Sequence, residues 1–314
     1  MGEFALISDI LEALGDRAAV SPQAMKTVVV PPGDDATVVT PTPGWQHVAS
    51  IDSFLANVHF PEKAPPELIG YRVLMASLSD LAAMAATPRY ALVALSMEAA
   101  LLKQDESWHC RLALGMAEAA READMYICGG NLSQGPLAIT VSVHGEVAEG
   151  CALLRSTGRA GHGLYVSGTL GGASACLRLG QTNIESLDNL TPLQACYFRP
   201  KARFDLLDEV GKASACIDIS DGLLQDLGHL CDASSCGAKL QGGAIPLAPG
   251  ATLEDALRGG DEYQLLLASE VPLLGCQRIG QLTEEAGIWL DEQQISADGY
   301  NPVSYTHLTL PTKA

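Results

Sequence analysis

The sequence contains few aromatic and few charged residues, and the charged residues are mostly acidic. Aromatic side chains make up 5% and charged side chains 18% of the 314 residues, whereas hydrophobic residues make up 47%. This composition excludes a disordered chain and predicts a globular protein packed mainly through aliphatic side chains. Nineteen Lys and Arg residues against 37 Asp and Glu residues give a formal net charge of −18. That charge disfavours nucleic acid and anionic membrane surfaces as partners.

The sequence also lacks a membrane-spanning run and a targeting segment. Its most apolar run, residues 90–102, is too short to cross a bilayer and contains Glu98. The N-terminal residues lack the basic start and apolar core of a signal peptide. The nine cysteines are scattered without CxxC spacing, which disfavours both a CxxC metal site and a dense disulfide framework. We therefore expect a soluble cytoplasmic protein with reduced cysteines.

Helical and strand patterns are interspersed along most of the chain, which predicts an α/β or α+β fold. The periodicities predict helices near residues 4–14, 66–85, 105–123, from 173, 191–210 and 222–231. They predict strands near residues 28–30, 37–39, 47–52, 90–97, 125–128, 137–147, 164–166, 214–219, 263–267 and 287–290. The length favours two domains, or one domain with two halves. We expect them to cover residues 1–148 and 149–301, followed by a non-native or disordered tail at 302–314.

Aspartates recur at turns and strand ends beside small residues, in Gly33-Asp34-Asp35, Ser50-Ile51-Asp52, Ser79-Asp80 and Asp218–Gly222. Each motif alone has an ordinary explanation: the first fits a turn, and the last fits a helix cap by Ser220 or Asp221. Asp80 could be satisfied by capping, by solvent or by Arg72. A buried carboxylate without a partner is costly. Together, these carboxylates from separate segments therefore favour a magnesium site, because Mg²⁺ prefers oxygen ligands.

No GxxxxGK[ST] motif is present, so an ordinary P-loop nucleotide site is excluded. Other segments fit phosphate but also fit plainer roles. Gly129-Gly130 follows a predicted strand and suits either a phosphate-binding turn or a simple turn. Arg155 suits a phosphate clamp or a solvated linker. The glycines at 168, 171 and 172 suit an anion site at a helix start or, preferably, close packing.

In order and spacing, these motifs resemble the thiamine-monophosphate kinase family over residues 2–300. The matching strings are Gly2-Glu3-Phe4, Gly33-Asp34-Asp35, Ser50-Ile51-Asp52, Val58-His59-Phe60, residues 78–84, Gly129-Gly130, Arg155-Ser156 and Asp218–Leu223. The resemblance implies a two-domain α/β fold like that of aminoimidazole-ribonucleotide synthetase. It also implies a homodimer formed through the N-terminal halves, with active sites at the interface.

The activity implied by the resemblance is phosphorylation of thiamine monophosphate by ATP, assisted by several Mg²⁺ ions and without a covalent nucleophile. It assigns the metal to Asp35, Ser50, Ile51, Asp52, Asp80, Asn131, Asp218 and Asp221. It assigns ATP to Gly130, Asn131, Arg155 and Ser220, and thiamine monophosphate to His59, Asp261 and Tyr300. Bound metal ions would let such an acidic chain bind phosphate substrates, because their positive charge reverses the local electrostatic field.

The chain departs from the family pattern at several of these positions. Asn131 replaces the aspartate of Gly-Gly-Asp, and Ile51 replaces the threonine of Ser-Thr-Asp. Asp261-Glu262 replaces Glu-Asp, which shifts the reach of the carboxylate. The alternatives are an impaired nucleotide-binding homologue, or a sister enzyme of the superfamily with another acceptor. Among these, selenophosphate synthetase needs a reactive cysteine near the N-terminus, whereas the first cysteine here is Cys110.

Overall fold

The computed structural model describes residues 2–19 and 24–299 of the chain. The helices are α1 Glu3–Leu14, α2 Pro66–Ala83, α3 Ala99–Gln104, α4 Trp108–Glu122, α5 Gly172–Arg178, α6 Pro192–Phe198, α7 Leu207–Val210, α8 Leu223–Ser234 and α9 Leu253–Arg258. The strands are β1 Val28–Val30, β2 Val38–Val39, β3 Trp45–Leu55, β4 Thr87–Met97, β5 Tyr126–Gln134, β6 Ala138–Ala148, β7 Gly163–Val166, β8 Ala215–Ile219, β9 Gly237–Leu240, β10 Gln264–Ser269, β11 Gln277–Thr283, β12 Ile288–Leu290 and β13 Gln293–Ile295. This mixture confirms the predicted α/β class.

The first half is built around a four-stranded sheet with the strand order β3-β6-β4-β5. Helix α2 packs on its inner face and α4 packs on α2. The two helices lie so close that a Cβ at Gly70 would be 2.1 Å from the Leu112 carbonyl oxygen. Nearly every residue of α2 is buried, so this helix is central to the core. The outer face of the sheet is solvent-exposed in the single chain, as Ile51 with 65% exposure illustrates.

The second half contains a seven-stranded sheet with the order β13-β12-β9-β11-β7-β10-β8. Its neighbouring strands are antiparallel, except for the parallel pair β12 and β9. Strand β8 lies at one edge and contacts α2, so α2 links the two halves. The core cluster of the first half also includes residues of α5 and α6. Residues 149–162 connect the last strand of the first sheet to the first strand of the second sheet. The predicted domain boundary falls at the start of this connection and remains a prediction.

Two secondary-structure predictions are wrong. The helix predicted at residues 191–210 is divided into α6, a short 3-10 helix and α7. Pro200 explains the break, because proline has no N–H and disfavours helical conformation in the residue before it. The strand predicted to end at Cys128 continues through Gly129-Gly130 to Gln134, with a bulge opposite β4. Position 130 of this strand requires glycine, because a Cβ there would lie 1.9 Å from the Val93 carbonyl oxygen.

All nine cysteines are free thiols. Among the described helices, none combines the length and apolar character that a bilayer crossing requires. Tyr300 and the predicted tail at 302–314 lie outside the described residues.

Candidate active site

A cavity of about 490 Å³ lies where α2, β3 and the end of β8 meet. Seven of the predicted site residues line it: Asp52, His59, Asp80, Asp218, Ser220, Asp221 and Asp261. These residues come from both halves of the chain. The fold therefore brings the scattered aspartate motifs to one place.

Three carboxylates converge in this cavity from three separate elements: Asp52 on β3, Asp80 on α2 and Asp218 on β8. Burial, followed by the charge of Asp80, raises the pKa of Asp52 to about 6 and that of Asp218 to about 7. Arg155 opposes this effect by lowering the pKa of Asp218. The donor set fits a divalent cation, because oxygen ligands from separate segments converge and positive charge would relieve their repulsion.

Serine hydroxyls orient two of these carboxylates. Ser50 Oγ on β3 donates a hydrogen bond of 2.5 Å to Asp80 Oδ2. Ser79, beside Asp80 on α2, donates to Asp218 Oδ2 on β8. Asp80 is therefore held by Ser50, and the suggested contact with Arg72 is wrong. These bonds link β3, α2 and β8 across the base of the cavity.

The loop after β8 is held by Asp226, which sequence reasoning missed. Its Oδ2 accepts hydrogen bonds from the backbone N–H groups of Ser220, Asp221 and Gly222 at 3.0, 3.1 and 3.2 Å. The cap predicted from Ser220 or Asp221 is wrong, because an aspartate inside α8 binds the preceding loop instead. An aspartate in the first turn of a predicted helix is the signal that would have found it. Burial, followed by the charge of Asp218, raises the pKa of Asp226 to about 7.

A buried arginine supports the opposite wall of the cavity. Arg72 Nη2 lies 2.7 Å from Asp261 Oδ1, and its guanidinium lies 4.0 Å from the centre of the Tyr197 ring. Arg72 Nε also donates to the His59 carbonyl oxygen at 3.4 Å, and Tyr263 Oη donates to Asp261 Oδ1 at 2.9 Å. Asp261 and Tyr263 have φ values of 66° and 52°, a strained conformation typical of functional sites.

The turn before α5 binds a side chain of the protein itself. Glu262 Oε1 accepts a hydrogen bond from Ala173 N–H at 3.2 Å, and the carboxyl group also contacts the N–H groups of Gly171 and Gly172. The carboxyl group therefore occupies the position that the alternative of an anion site required. The preferred interpretation, close packing, agrees with the structure, because a Cβ at Gly172 would lie 2.5 Å from Cys196 Sγ. Burial raises the pKa of Glu262 to about 8.

Several predicted residues do not line the cavity within one chain, although the charge of Arg155 acts on Asp218. Asp35 lies in an exposed turn after β1, and Arg155 in an exposed 3-10 helix. Ile51 projects to the outer face of β3. Gly130 and Asn131 lie on β5, which is separated from β3 by two strands. Three strand spacings correspond to about 14 Å, so Asn131 is too distant to share a metal with Asp52 in one chain.

The sequence is similar to a known family model and to known thiamine-monophosphate kinases. Residues 33–147 match the family model "AIR synthase related protein, N-terminal domain". The chain is 34% identical over 278 residues to the thiamine-monophosphate kinase of Salmonella typhimurium. This alignment covers 84% of this chain and 81% of that protein.

Solved structures extend this similarity to the fold. The thiamine-monophosphate kinase of Stenotrophomonas maltophilia has a TM-score of 0.80 and 31% identity, covering 94% of this chain and 98% of that one. The structure of AaThiL complexed with AMPPCP and TMP has a TM-score of 0.74 and 28% identity, covering 94% of each chain.

Proposed function

The chain belongs to the thiamine-monophosphate kinase family, and from this premise we propose that it transfers the γ-phosphoryl group of ATP to thiamine monophosphate, giving ADP and thiamine diphosphate. The observation that carries the proposal is the convergence of Asp52, Asp80 and Asp218 in one cavity that Asp261 and His59 also line. Such an arrangement provides a cation-binding region next to a region for an acceptor molecule.

The acidic residues would hold magnesium. Asp52, Asp80 and Asp218 are the central candidates, and Asp221 lines the same cavity. Bound magnesium supplies the positive charge that neutralises phosphate oxygens during phosphoryl transfer. Ser50 and Ser79 orient the carboxylates, and Asp226 fixes the loop that carries Ser220 and Asp221. The protein thus contributes mainly positioning, since the acceptor phosphate is already anionic and needs little help from a base.

Asp261 and His59 would contact thiamine monophosphate. The Asp261 side chain is 30% exposed, so part of it remains available to a ligand while Arg72 holds one oxygen. A carboxylate at this position suits thiamine, which carries a cationic thiazolium ring and an aminopyrimidine donor. Arg72 also binds the His59 carbonyl oxygen, so one buried side chain supports both proposed substrate contacts.

A homodimer would join the residues that one chain keeps apart. Ile51 and Asn131 both project from the outer face of the four-stranded sheet, near opposite edges. A two-fold axis parallel to the strands would pack two such faces together, with β5 of one subunit over β3 of its partner. The exposed apolar residues Trp45, Ile51 and Leu55 support an interface on this face. Gly130 and Asn131 would then lie beside the partner's edge strand β3, whose inner face carries Asp52, and would reach the partner's ATP and metal site around that edge.

Two measurements test this proposal. Formation of ADP from MgATP should depend on thiamine monophosphate, and ATP binding without turnover would instead favour the impaired nucleotide-binding homologue. Mixed dimers of Asp218→Asn and Asn131→Lys subunits test the shared site. Co-expression should restore activity that neither variant has alone, because one site per mixed dimer is intact. Failure to restore it would place each site within one subunit. The cytoplasmic location expected from the sequence remains part of the proposal.

A further inference from the structure

Three side chains of metal-ligand types, none of which lines the aspartate cavity, lie together between α1 and α4. Asp9 on α1 and His109 and Cys110 on α4 place one ligand atom each within 4.8 Å of the others. The group contains an oxygen, a nitrogen and a sulfur atom. All three are ligand types that zinc accepts, whereas magnesium does not favour sulfur.

The distances at His109 fit coordination better than ordinary hydrogen bonding. His109 Nε2 lies 3.4 Å from Asp9 Oδ2 and 3.4 Å from Cys110 Sγ. An ordinary N–H···O hydrogen bond measures about 2.7–3.2 Å, so the contact with Asp9 is long. Zinc bond lengths of about 2.0–2.3 Å place neighbouring ligand atoms of a tetrahedral site about 3.3–3.6 Å apart. The two observed separations fall within that range.

The surroundings of His109 leave its Nε2 atom available to bind a metal ion. The residue is 1% exposed, and its Nδ1 has no hydrogen-bond partner among residues 2–19 and 24–299. Its polar contacts are therefore concentrated at Nε2, the atom that faces Asp9 and Cys110. In the same described ranges, the Asp9 carboxylate contacts His109 and forms no ion pair with a lysine or arginine.

The local charge also favours a cation. The carboxylates of Asp9 and Glu12 lie close enough to Cys110 to act on it electrostatically. Arg111, the adjacent basic residue, is engaged by Glu67 and Asp105. The region around Cys110 therefore carries negative charge that no nearby arginine neutralises completely.

We propose that Asp9, His109 and Cys110 bind one zinc ion, or a divalent transition metal of similar ligand preference, and thereby tie α1 to α4. Water or an external ligand would fill the fourth position. On binding, the Cys110 thiol gives up its proton to solvent, as a thiolate ligand requires. This site is independent of the proposed kinase activity, because none of its ligands lines the aspartate cavity.

Cobalt provides a spectroscopic test, since thiolate-to-cobalt charge transfer reports a bound sulfur ligand. The metal-stripped full chain is titrated with Co²⁺, which replaces zinc in such sites. The aspartate cavity is lined by no cysteine, so metal bound there does not produce this band. We expect the charge-transfer band to saturate at one equivalent and to disappear when Zn²⁺ is added.

Variants locate the site. Cys110→Ser is nearly isosteric and should abolish the band, and Asp9→Asn should weaken Co²⁺ and Zn²⁺ binding by at least about 10-fold. Cys151→Ser is the matched control, because Cys151 is exposed and does not belong to this group. The proposal is overturned if the wild-type chain gives no band, or if the band persists in Cys110→Ser. It is also overturned if Zn²⁺ raises the melting temperature of wild type and Cys110→Ser equally.

Discussion

Arg72 and Asp261, distant in sequence, form an ion pair behind the cavity wall, with 2.7 Å between Nη2 and Oδ1. Because Arg72 is 1% exposed, its charge is compensated by this carboxylate and by contacts with carbonyl oxygens and the Tyr197 ring. Loss of one member of a buried pair leaves the other uncompensated. The pair therefore couples the core helix α2 to the loop that presents Asp261.

Replacing Arg72 should impair binding of the acceptor more than binding of ATP. In Arg72→Met, Asp261 and the His59 segment lose their common support, so we expect KM for thiamine monophosphate to rise about 10-fold or more. KM for ATP should change little. Arg72→Lys retains the charge and should recover part of the loss. Steady-state kinetics with each substrate varied separately measure this difference.

A milder variant controls for misfolding of Arg72→Met. Tyr263→Phe removes only the 2.9 Å hydrogen bond to Asp261 and leaves Arg72 in place. We expect a smaller rise in the same KM, of a few fold, since a net hydrogen bond contributes about 1 kcal/mol. Equal effects on both substrates would contradict a positioning role for this wall.

Asp80→Asn should strongly reduce turnover without destabilising the metal-free protein. The Asp80 charge raises the pKa of both Asp52 and Asp218, so its removal relieves repulsion. We expect turnover to fall by about 100-fold or more, comparable to the loss of a key electrostatic group. The free energy of unfolding in the presence of a chelator should stay equal or increase. Asp232→Asn, an exposed position on α8, is the control and should change neither quantity.

Glu262 should make the stability depend on pH. Its pKa is raised from 4.5 to about 8 in the folded chain, so folding takes up a proton between these values. The contribution of Glu262 to stability is therefore fully present below its unfolded pKa and decreases as the pH rises through about 8. Urea unfolding of wild type and Glu262→Gln at several pH values isolates this contribution. A stability difference that grows in favour of wild type with rising pH would contradict the assignment.

Asn131→Asp should increase activity or lower the magnesium concentration needed for half-maximal rate. A carboxylate binds Mg²⁺ more strongly than a neutral amide oxygen, and position 131 would face the partner's site. Ser133→Asp adds the same charge two residues further along β5 and serves as the control. If Asn131→Asp behaves like Ser133→Asp, position 131 does not contribute to a metal site.

Much of the site could be predicted from sequence because its aspartates occur in short local motifs. Asp52 and Asp218 lie on strands and Asp80 lies in an apolar helix, each in a short motif that contains a small residue, and the ordered motifs matched one family. The serines that donate hydrogen bonds to these aspartates could not be predicted in the same way. The hydrogen bonds from Ser79 to Asp218 and from Ser50 to Asp80 join segments that only the tertiary fold brings together.

The wrong predictions have local causes. Gly129-Gly130 resembles a turn in sequence, but the close approach of β4 requires glycine inside β5. Asp226 was missed because a side chain inside a helix binds the preceding loop, where a cap at the helix start was expected. The glycines before α5 were weighed as an anion site, and the carboxyl group that they contact comes from Glu262, distant in sequence.

The central claim is that the aspartate cavity transfers phosphate from ATP to thiamine monophosphate. Phosphorus NMR of a reaction containing the full chain, MgATP and thiamine monophosphate tests it most directly. We predict equal amounts of ADP and thiamine diphosphate, with the γ-phosphorus of ATP recovered as the terminal phosphorus of the product. Release of that phosphorus as inorganic phosphate, with thiamine monophosphate unchanged, would contradict the account.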